Sequence, residues 1–187
     1  MIIIGVTGPT GAGKSLASKT AEALGFKVVN CDLVAREAVV KGSQGLKALA
    51  QVFGADILLE SGELDRKKLA QKAFATKENT ELLNKTLLPF IAELVKKECN
   101  CHKVLLDAPT LFESGLDGMC SKTVGVLSNT ETRLGRIIGR DGITKEEALL
   151  RINAGKPDEY YINKADSIIY NDGNADEFIK RFSEILE

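Results

Sequence analysis

The chain has 187 residues, 44% of them hydrophobic and 27% charged, ordinary proportions for a globular domain with a substantial core. Its 25 Lys and Arg against 26 Asp and Glu leave a net charge of -1, so no bulk field draws nucleic acid or a membrane surface. Any anionic ligand must therefore be held by local arrangement.

No apolar run reaches the ~20 residues of a spanning helix. No basic segment precedes the first apolar run, so a signal peptide is not expected and the chain is read as cytoplasmic.

In chain order, Ile2 to Val6 predicts a first strand, a glycine-rich turn follows, and Lys14 to Leu24 predicts a helix. Val28 and Val29 mark a second strand, with a helix over Leu33 to Val40. Helical patterns then run over Leu46 to Phe53, Arg66 to Phe74 and Glu81 to Lys97, the last with a bend or break expected near Pro89. Val104 to Leu106 and Val124 to Leu127 read as strands three and four. Helices over Glu131 to Ile138 and Lys145 to Ile152 come next, then a turn and short helix in "KPDEYYI". Ile168 to Tyr170 is the fifth strand and Asp176 to Leu186 the last helix.

Short continuous runs of Val and Ile suit strands buried on both faces of a parallel sheet. The alternation predicts an α/β fold of three layers with about five parallel strands. Two stretches interrupt it. Residues 43–99 hold too many helices for one crossover and predict a helical flap. Residues 136–164 predict a small helical lid, whose two main helices meet at Asp141-Gly142 and whose second opens on a Thr144–Glu147 capping box. The rest (1–42, 100–135 and 165–187) forms the core of a single domain.

The four cysteines, Cys31, Cys99, Cys101 and Cys120, contain no Cys-x-x-Cys pair. "CNCH", Cys99 to His102, lacks a second pair at zinc spacing and reads as reduced thiols near a helix end. His102 is the only histidine, and nothing near it supports a Ser-His or Cys-His nucleophile.

"VTGPTGAGKS", residues 6–15, satisfies the P-loop pattern Gly8-x-x-x-x-Gly13-Lys14-Ser15, with a strand before it and a helix after it. Glycines at 8, 11 and 13 let successive backbone N–H groups turn inward toward phosphate oxygens. The helix adds its positive N-terminal end. Lys14 brings a charge to the β- and γ-phosphates, and the Ser15 hydroxyl suits Mg²⁺. The nucleotide-binding set is thus Gly11, Ala12, Gly13, Lys14, Ser15 and Leu16.

A nucleotide cradle serves switches and kinases alike. "NKAD", Asn163 to Asp166, spells the guanine-reading Asn-Lys-x-Asp signature of GTP-binding proteins, but that signature ends a strand, and here the strand begins after Asp166. Asp107 is followed by Ala108, not by the Asp-x-x-Gly of a switch. Ligands of open α/β sheets lie outside the carboxyl ends of the strands. Asp32 follows the second strand, as a base for an incoming hydroxyl or as a helix cap. Asp107 follows the third, in the position of a Walker-B acid that supports Mg²⁺.

Nearly end to end, the chain resembles dephospho-coenzyme A kinases. The likeness is carried by "GVTGPTGAGKS", "CDLVAREAV", "FGADIL", "GELDRKKLAQKAF", "LLNKTLLPFI", "VLLDAPTLFESGL", "RIIGRDGITKEEALLRI" and "KADSIIYNDG". It implies a P-loop kinase that uses MgATP to phosphorylate the ribose 3′-hydroxyl of dephospho-coenzyme A, giving coenzyme A and ADP.

By that resemblance Asp32 is the general base. Arg36, one helical turn on, clamps a substrate phosphate or is a solvated helix arginine. Arg140 is the lid arginine that closes on the transferring phosphate, with Arg136 as a second candidate or an ordinary surface ion pair. Asn171 lines the adenine pocket or is a turn residue. The flap carries the acceptor, with Gly62, Leu64 and Arg66 in it, although a turn and a capped helix account for those three equally well. The sequence departs from the family's usual pattern at Leu88, where a His precedes the proline, at Gly155, where Gln is common, and at Leu16 and Thr110.

Overall fold

The computed structural model describes residues 1–98 and 101–187. Its five strands are β1 (Ile2–Thr7), β2 (Lys27–Asn30), β3 (Lys103–Asp107), β4 (Lys122–Leu127) and β5 (Ser167–Tyr170). They form one parallel sheet in the order β2-β3-β1-β4-β5. Its register sets Val6 beside Asp107 on one side and beside Val124 on the other. Chain direction across the sheet therefore reverses at β1, the topological switch point where α/β sheets place their ligands.

The ten α-helices among the described residues are α1 (Lys14–Ala23), α2 (Cys31–Glu37), α3 (Gln44–Phe53), α4 (Arg66–Ala73), α5 (Lys77–Glu98), α6 (Leu111–Ser114), α7 (Thr130–Asp141), α8 (Lys145–Asn153), α9 (Asp158–Ile162) and α10 (Ala175–Leu186). None is long and apolar enough to cross a membrane.

The chain divides into two compact units. The first holds residues 1–28, 101–111 and 120–187. Alternation along β1 sends Ile4 and Val6 into a core with Ala17 and Ala21 of α1, Leu105, Val124, Val126, Ile169 and the α10 residues Phe178, Phe182 and Leu186. Phe178 and Phe182 are one helical turn apart and stack at 5.8 Å between ring centroids. Gly5 points to the other face. A Cβ there would come within 2.7 Å of Leu111 Cδ2, so the glycine makes room for a fully buried leucine.

The second unit holds residues 29–100 and 112–119. Its core joins Val39, Leu49, Phe53, Ile57, Leu69 and Ala73, with Leu83 and Leu87 of α5 packed against them. α5 runs unbroken through Pro89, where a bend or break is expected. A helix-interior proline removes one backbone hydrogen bond, at a cost of about 3 kcal/mol. Apolar burial on both sides of it, Leu83 and Leu87 packed on this core before it and the buried Ile91 and Val95 after it, offsets that loss.

Most of the helices are opened by a side chain. Asn30, Ser43, Asp65, Asn129, Thr144 and Asn174 each accept backbone N–H bonds at the start of α2, α3, α4, α7, α8 and α10. α1 differs: it opens on Gly13, which has no side chain to cap with.

Candidate active site

The missing cap is where the phosphate loop meets its helix. β1 ends at Thr7, and the chain turns through Gly8 and Gly13 to reach α1. Gly8 lies at φ +147°, and a Cβ there would sit 2.1 Å from the carbonyl oxygen of Val126. Gly13 is left-handed at φ +96°, and a Cβ there would sit 2.1 Å from Asn171 Nδ2. Both positions exclude any side chain, by backbone conformation and by space. The first-turn amides of an α-helix have no intrahelical acceptor, so an uncapped start directs them at whatever the loop holds.

The Lys14 ammonium donates to the Gly8 carbonyl at 2.8 Å, folded back along the loop. Ser15 is exposed, and its hydroxyl has no partner among the described residues. Leu16, a departure from the family pattern, turns away and packs against the core of the first unit.

Asp107 ends β3 next to β1. The Oγ of Ser18, on the first helical turn after Ser15, donates to Asp107 Oδ2 at 3.0 Å. That contact fixes one carboxylate oxygen of the strand-end acid. No sequence signal marks Ser18, because its partner comes from a strand 89 residues away. An open hydroxyl at the helix start and a braced carboxylate on the neighbouring strand are hard oxygen donors of the kind Mg²⁺ would take. Mg²⁺ takes few protein ligands and fills its octahedron with phosphate oxygens and water. These residues fit it, and among the described residues no cluster of three His, Cys, Asp or Glu competes.

The loop is braced from behind by α7 and by the chain leaving β4 and β5. Arg133 Nε donates to the Thr10 carbonyl at 2.9 Å. Arg136 Nη1 lies 3.3 Å from the Gly11 carbonyl and 3.1 Å from that of Ala12, while its Nη2 donates to the Asn171 carbonyl at 2.8 Å. Arg136 is thus neither a lid arginine open to solvent nor half of a surface ion pair. Asn171 is only 3% exposed, and its side-chain amide donates to the Ala12 carbonyl at 2.9 Å. Its side chain props the loop rather than shaping a turn. Asp172 closes this side, accepting from Ser128 Oγ at 2.6 Å and Asn129 N at 2.7 Å.

In the lid stretch, α7 ends at left-handed Gly142, and Thr144 with Glu147 forms the expected capping box on α8. Ile137, Ala148 and Ile152 join the two helices. Arg140 is exposed and pairs in fork geometry with Asp141, at 2.7 and 2.9 Å, and Arg151 reaches the same carboxylate at 2.5 Å. The Arg140 bond, then the charges of both arginines, hold Asp141 below the usual carboxylate range, and Asp141 in turn raises Arg140. Gly155 lines a cleft of about 440 Å³ with Arg133, Asn153, Lys156 and Asp158.

The second unit carries the other predicted residues. Asn30, not Asp32, caps α2, accepting from Asp32 N at 3.0 Å and Leu33 N at 3.2 Å. The Asp32 carboxylate and the Arg36 guanidinium are exposed, one turn apart on α2, with no partner among the described residues. Gly62 makes a turn at φ +80°, Leu64 bridges back to Leu58, and Asp65 caps the helix that starts at Arg66. Leu88 packs where a Cβ on Gly115 would come within 3.1 Å of its Cδ2, so an apolar contact occupies the departure from the family's His.

Asp166 of "NKAD" is also accounted for. It accepts from Thr123 N and Thr123 Oγ1, both at 2.7 Å, fastening the starts of β4 and β5. Those bonds hold its carboxyl below the usual range. An acid at the amino ends of the strands, opposite the loop, does not read a base. Cys31, Cys101 and Cys120 form no disulfide with one another, and Cys99 of "CNCH" lies outside the described residues.

A five-stranded parallel sheet that reverses direction at β1, with a phosphate loop on an uncapped helix at that point, makes this a P-loop nucleotide-binding protein of the kinase type. The model of the CoaE dephospho-CoA kinase family matches residues 2–177. A dephospho-CoA kinase of Oryza sativa is 38% identical over 192 aligned positions, covering 100% of this chain and 84% of that protein. Among solved structures, TT1252 of Thermus thermophilus superposes with a TM-score of 0.76 at 30% identity, covering 99% of this chain and 96% of that one. A dephospho-CoA kinase of Campylobacter jejuni gives 0.63 at 26%, covering 98% and 94%. The chain belongs to the dephospho-CoA kinase family.

Proposed function

We propose that this kinase transfers the γ-phosphate of ATP to the ribose 3′-hydroxyl of dephospho-coenzyme A, giving coenzyme A and ADP in the last step of coenzyme A biosynthesis. The observation that carries the reading is a family match over nearly the whole chain, on a molecule whose phosphate loop is fully built.

The chemistry assigns each residue a task. The amides of Gly11 to Leu16 and the Lys14 ammonium hold the ATP phosphates. The acceptor's hydroxyl oxygen bonds to the γ-phosphorus as the bridge to the β-phosphate breaks, and the hydroxyl proton passes to the Asp32 carboxylate. Support for Asp32 comes from Asn30, which takes over the capping bonds and leaves the acid exposed. Arg36, on the same face one turn on, binds a phosphate of the acceptor. Arg140 exchanges its pairing with Asp141 for the transferring phosphoryl group, where a planar cation suits the spread charge of the transition state. Ser15 and Asp107 would hold Mg²⁺, whose charge neutralises the phosphate oxygens. Residues 43–99 serve as the acceptor flap, 136–164 as the lid, and the cytoplasm is the site of action.

An ADP-release assay over a panel of acceptors tests the reading. Dephospho-coenzyme A should exceed free nucleosides, nucleoside monophosphates and sugar acids in kcat/KM. A nucleoside or sugar acid turned over faster than dephospho-coenzyme A overturns it.

A further inference from the structure

Three consecutive carbonyls of the phosphate loop, those of Thr10, Gly11 and Ala12, face donors outside the loop. Arg133 Nε takes the first at 2.9 Å. Arg136 Nη1 takes the second and third at 3.3 and 3.1 Å, and Asn171 Nδ2 shares the third at 2.9 Å. A trans peptide holds its C=O and N–H antiparallel. Turning these carbonyls outward therefore turns the amides of Gly11, Ala12 and Gly13 to the opposite side. A cation on the carbonyl also polarises the peptide and strengthens its N–H as a donor.

We infer that Arg133 and Arg136 are positioning residues of the phosphate site, each acting through a loop peptide that its guanidinium grips from behind. The inference rests on reading the loop as a polyphosphate cradle. Arg133 is the sharper case because it is only 5% exposed and its Nη2 has no hydrogen-bond partner among the described residues. Its nearest countercharge, Asp158 Oδ1, is 3.6 Å from Nη1. A buried guanidinium with an unmade bond is a poor stabiliser of a fold. Its strongest contact is the loop carbonyl. The amide of Ala12 rests on the Pro9 carbonyl at 3.2 Å, a long bond that a phosphate oxygen can replace.

The probe is tripolyphosphate, which has neither base nor ribose, titrated calorimetrically into wild type and the R133M, R133K, R136M and R136K variants. R133M and R136M should each weaken tripolyphosphate roughly tenfold, and R133M should leave adenosine affinity unchanged. Amide resonances of the ligand-free protein give a second readout. R133M should move the Gly11 N–H upfield more than its neighbours, and R136M those of Ala12 and Gly13, because each shares a peptide with the released carbonyl.

Unchanged tripolyphosphate affinity with unmoved glycine amides makes the arginines mere struts and overturns the inference. So does full recovery of affinity in the lysine variants while the amide shifts stay displaced, since charge alone would then suffice. If R133M does not fold, the Gly11 resonance in R133K decides. A wild type that binds no tripolyphosphate sinks the cradle reading itself, an outcome separate from these.

Discussion

Asp32 is an acid that the fold leaves without structural duty, since Asn30 two residues earlier supplies the capping oxygen of α2. Asp32→Asn removes the proposed base but keeps shape and the cap. Turnover should fall by about 10²- to 10⁴-fold with ATP affinity nearly intact, as single-turnover kinetics and calorimetry would read. A collapse of ATP affinity with turnover of the bound complex retained would make Asp32 structural. Ser18 poses the complementary case. Ser18→Ala removes the hydroxyl that donates to Asp107 Oδ2 and should raise the Mg²⁺ concentration for half-maximal nucleotide binding about tenfold, the usual effect of losing a carboxylate's supporting bond. Ser18→Thr, which keeps the hydroxyl, should restore it. Asp107 was legible from its place after an apolar run, but Ser18, Arg133 and the duty of Asn171 were not. Each acts on a partner distant in sequence, and periodicity within a helix cannot name that partner.

Local signals carried furthest at the scale of elements. The Thr144–Glu147 capping box and the Asp141-Gly142 turn stand as read, because both are closed by atoms within a few residues of one another. Pro89 does not break its helix for the opposite reason: its local preference is outvoted by the burial of Leu83 and Leu87 before it and of Ile91 and Val95 after it. The Arg140–Asp141–Arg151 cluster gives α7 and α8 a pH dependence. Asp141 is depressed below the usual aspartate value of about 3.9, first by its bond to Arg140 and then by the charges of Arg140 and Arg151. Its contribution is therefore complete above about pH 4 and is lost as pH falls through its lower folded value. Melting curves of wild type and Asp141→Asn should differ at pH 6 and converge toward pH 2, and a constant gap would exclude the titration.

For the whole molecule, a ligand that binds only the folded chain stabilises it by mass action. ADP with Mg²⁺ at a hundred times its Kd adds about 2.7 kcal/mol, which for a chain of this size raises Tm by roughly 5–10 °C. Gly13→Ala should abolish that rise in a calorimetric scan, since its Cβ would meet Asn171 Nδ2 at 2.1 Å in a backbone conformation that alanine avoids. A full ADP shift in the variant would show that nucleotide binds elsewhere.

The amino-acid order by itself determined the α/β alternation, the strand–loop–helix of the phosphate cradle, the acids after β2 and β3, and the family, because these depend on neighbours in the chain or on motif spelling. Only the tertiary structure decided the strand order that sets β3 between β2 and β1, the serine that steadies Asp107, and the two arginines and asparagine that grip the loop from behind. Those contacts join residues more than a hundred positions apart in several cases. They are set by which helix face the core turns inward, which no local pattern encodes.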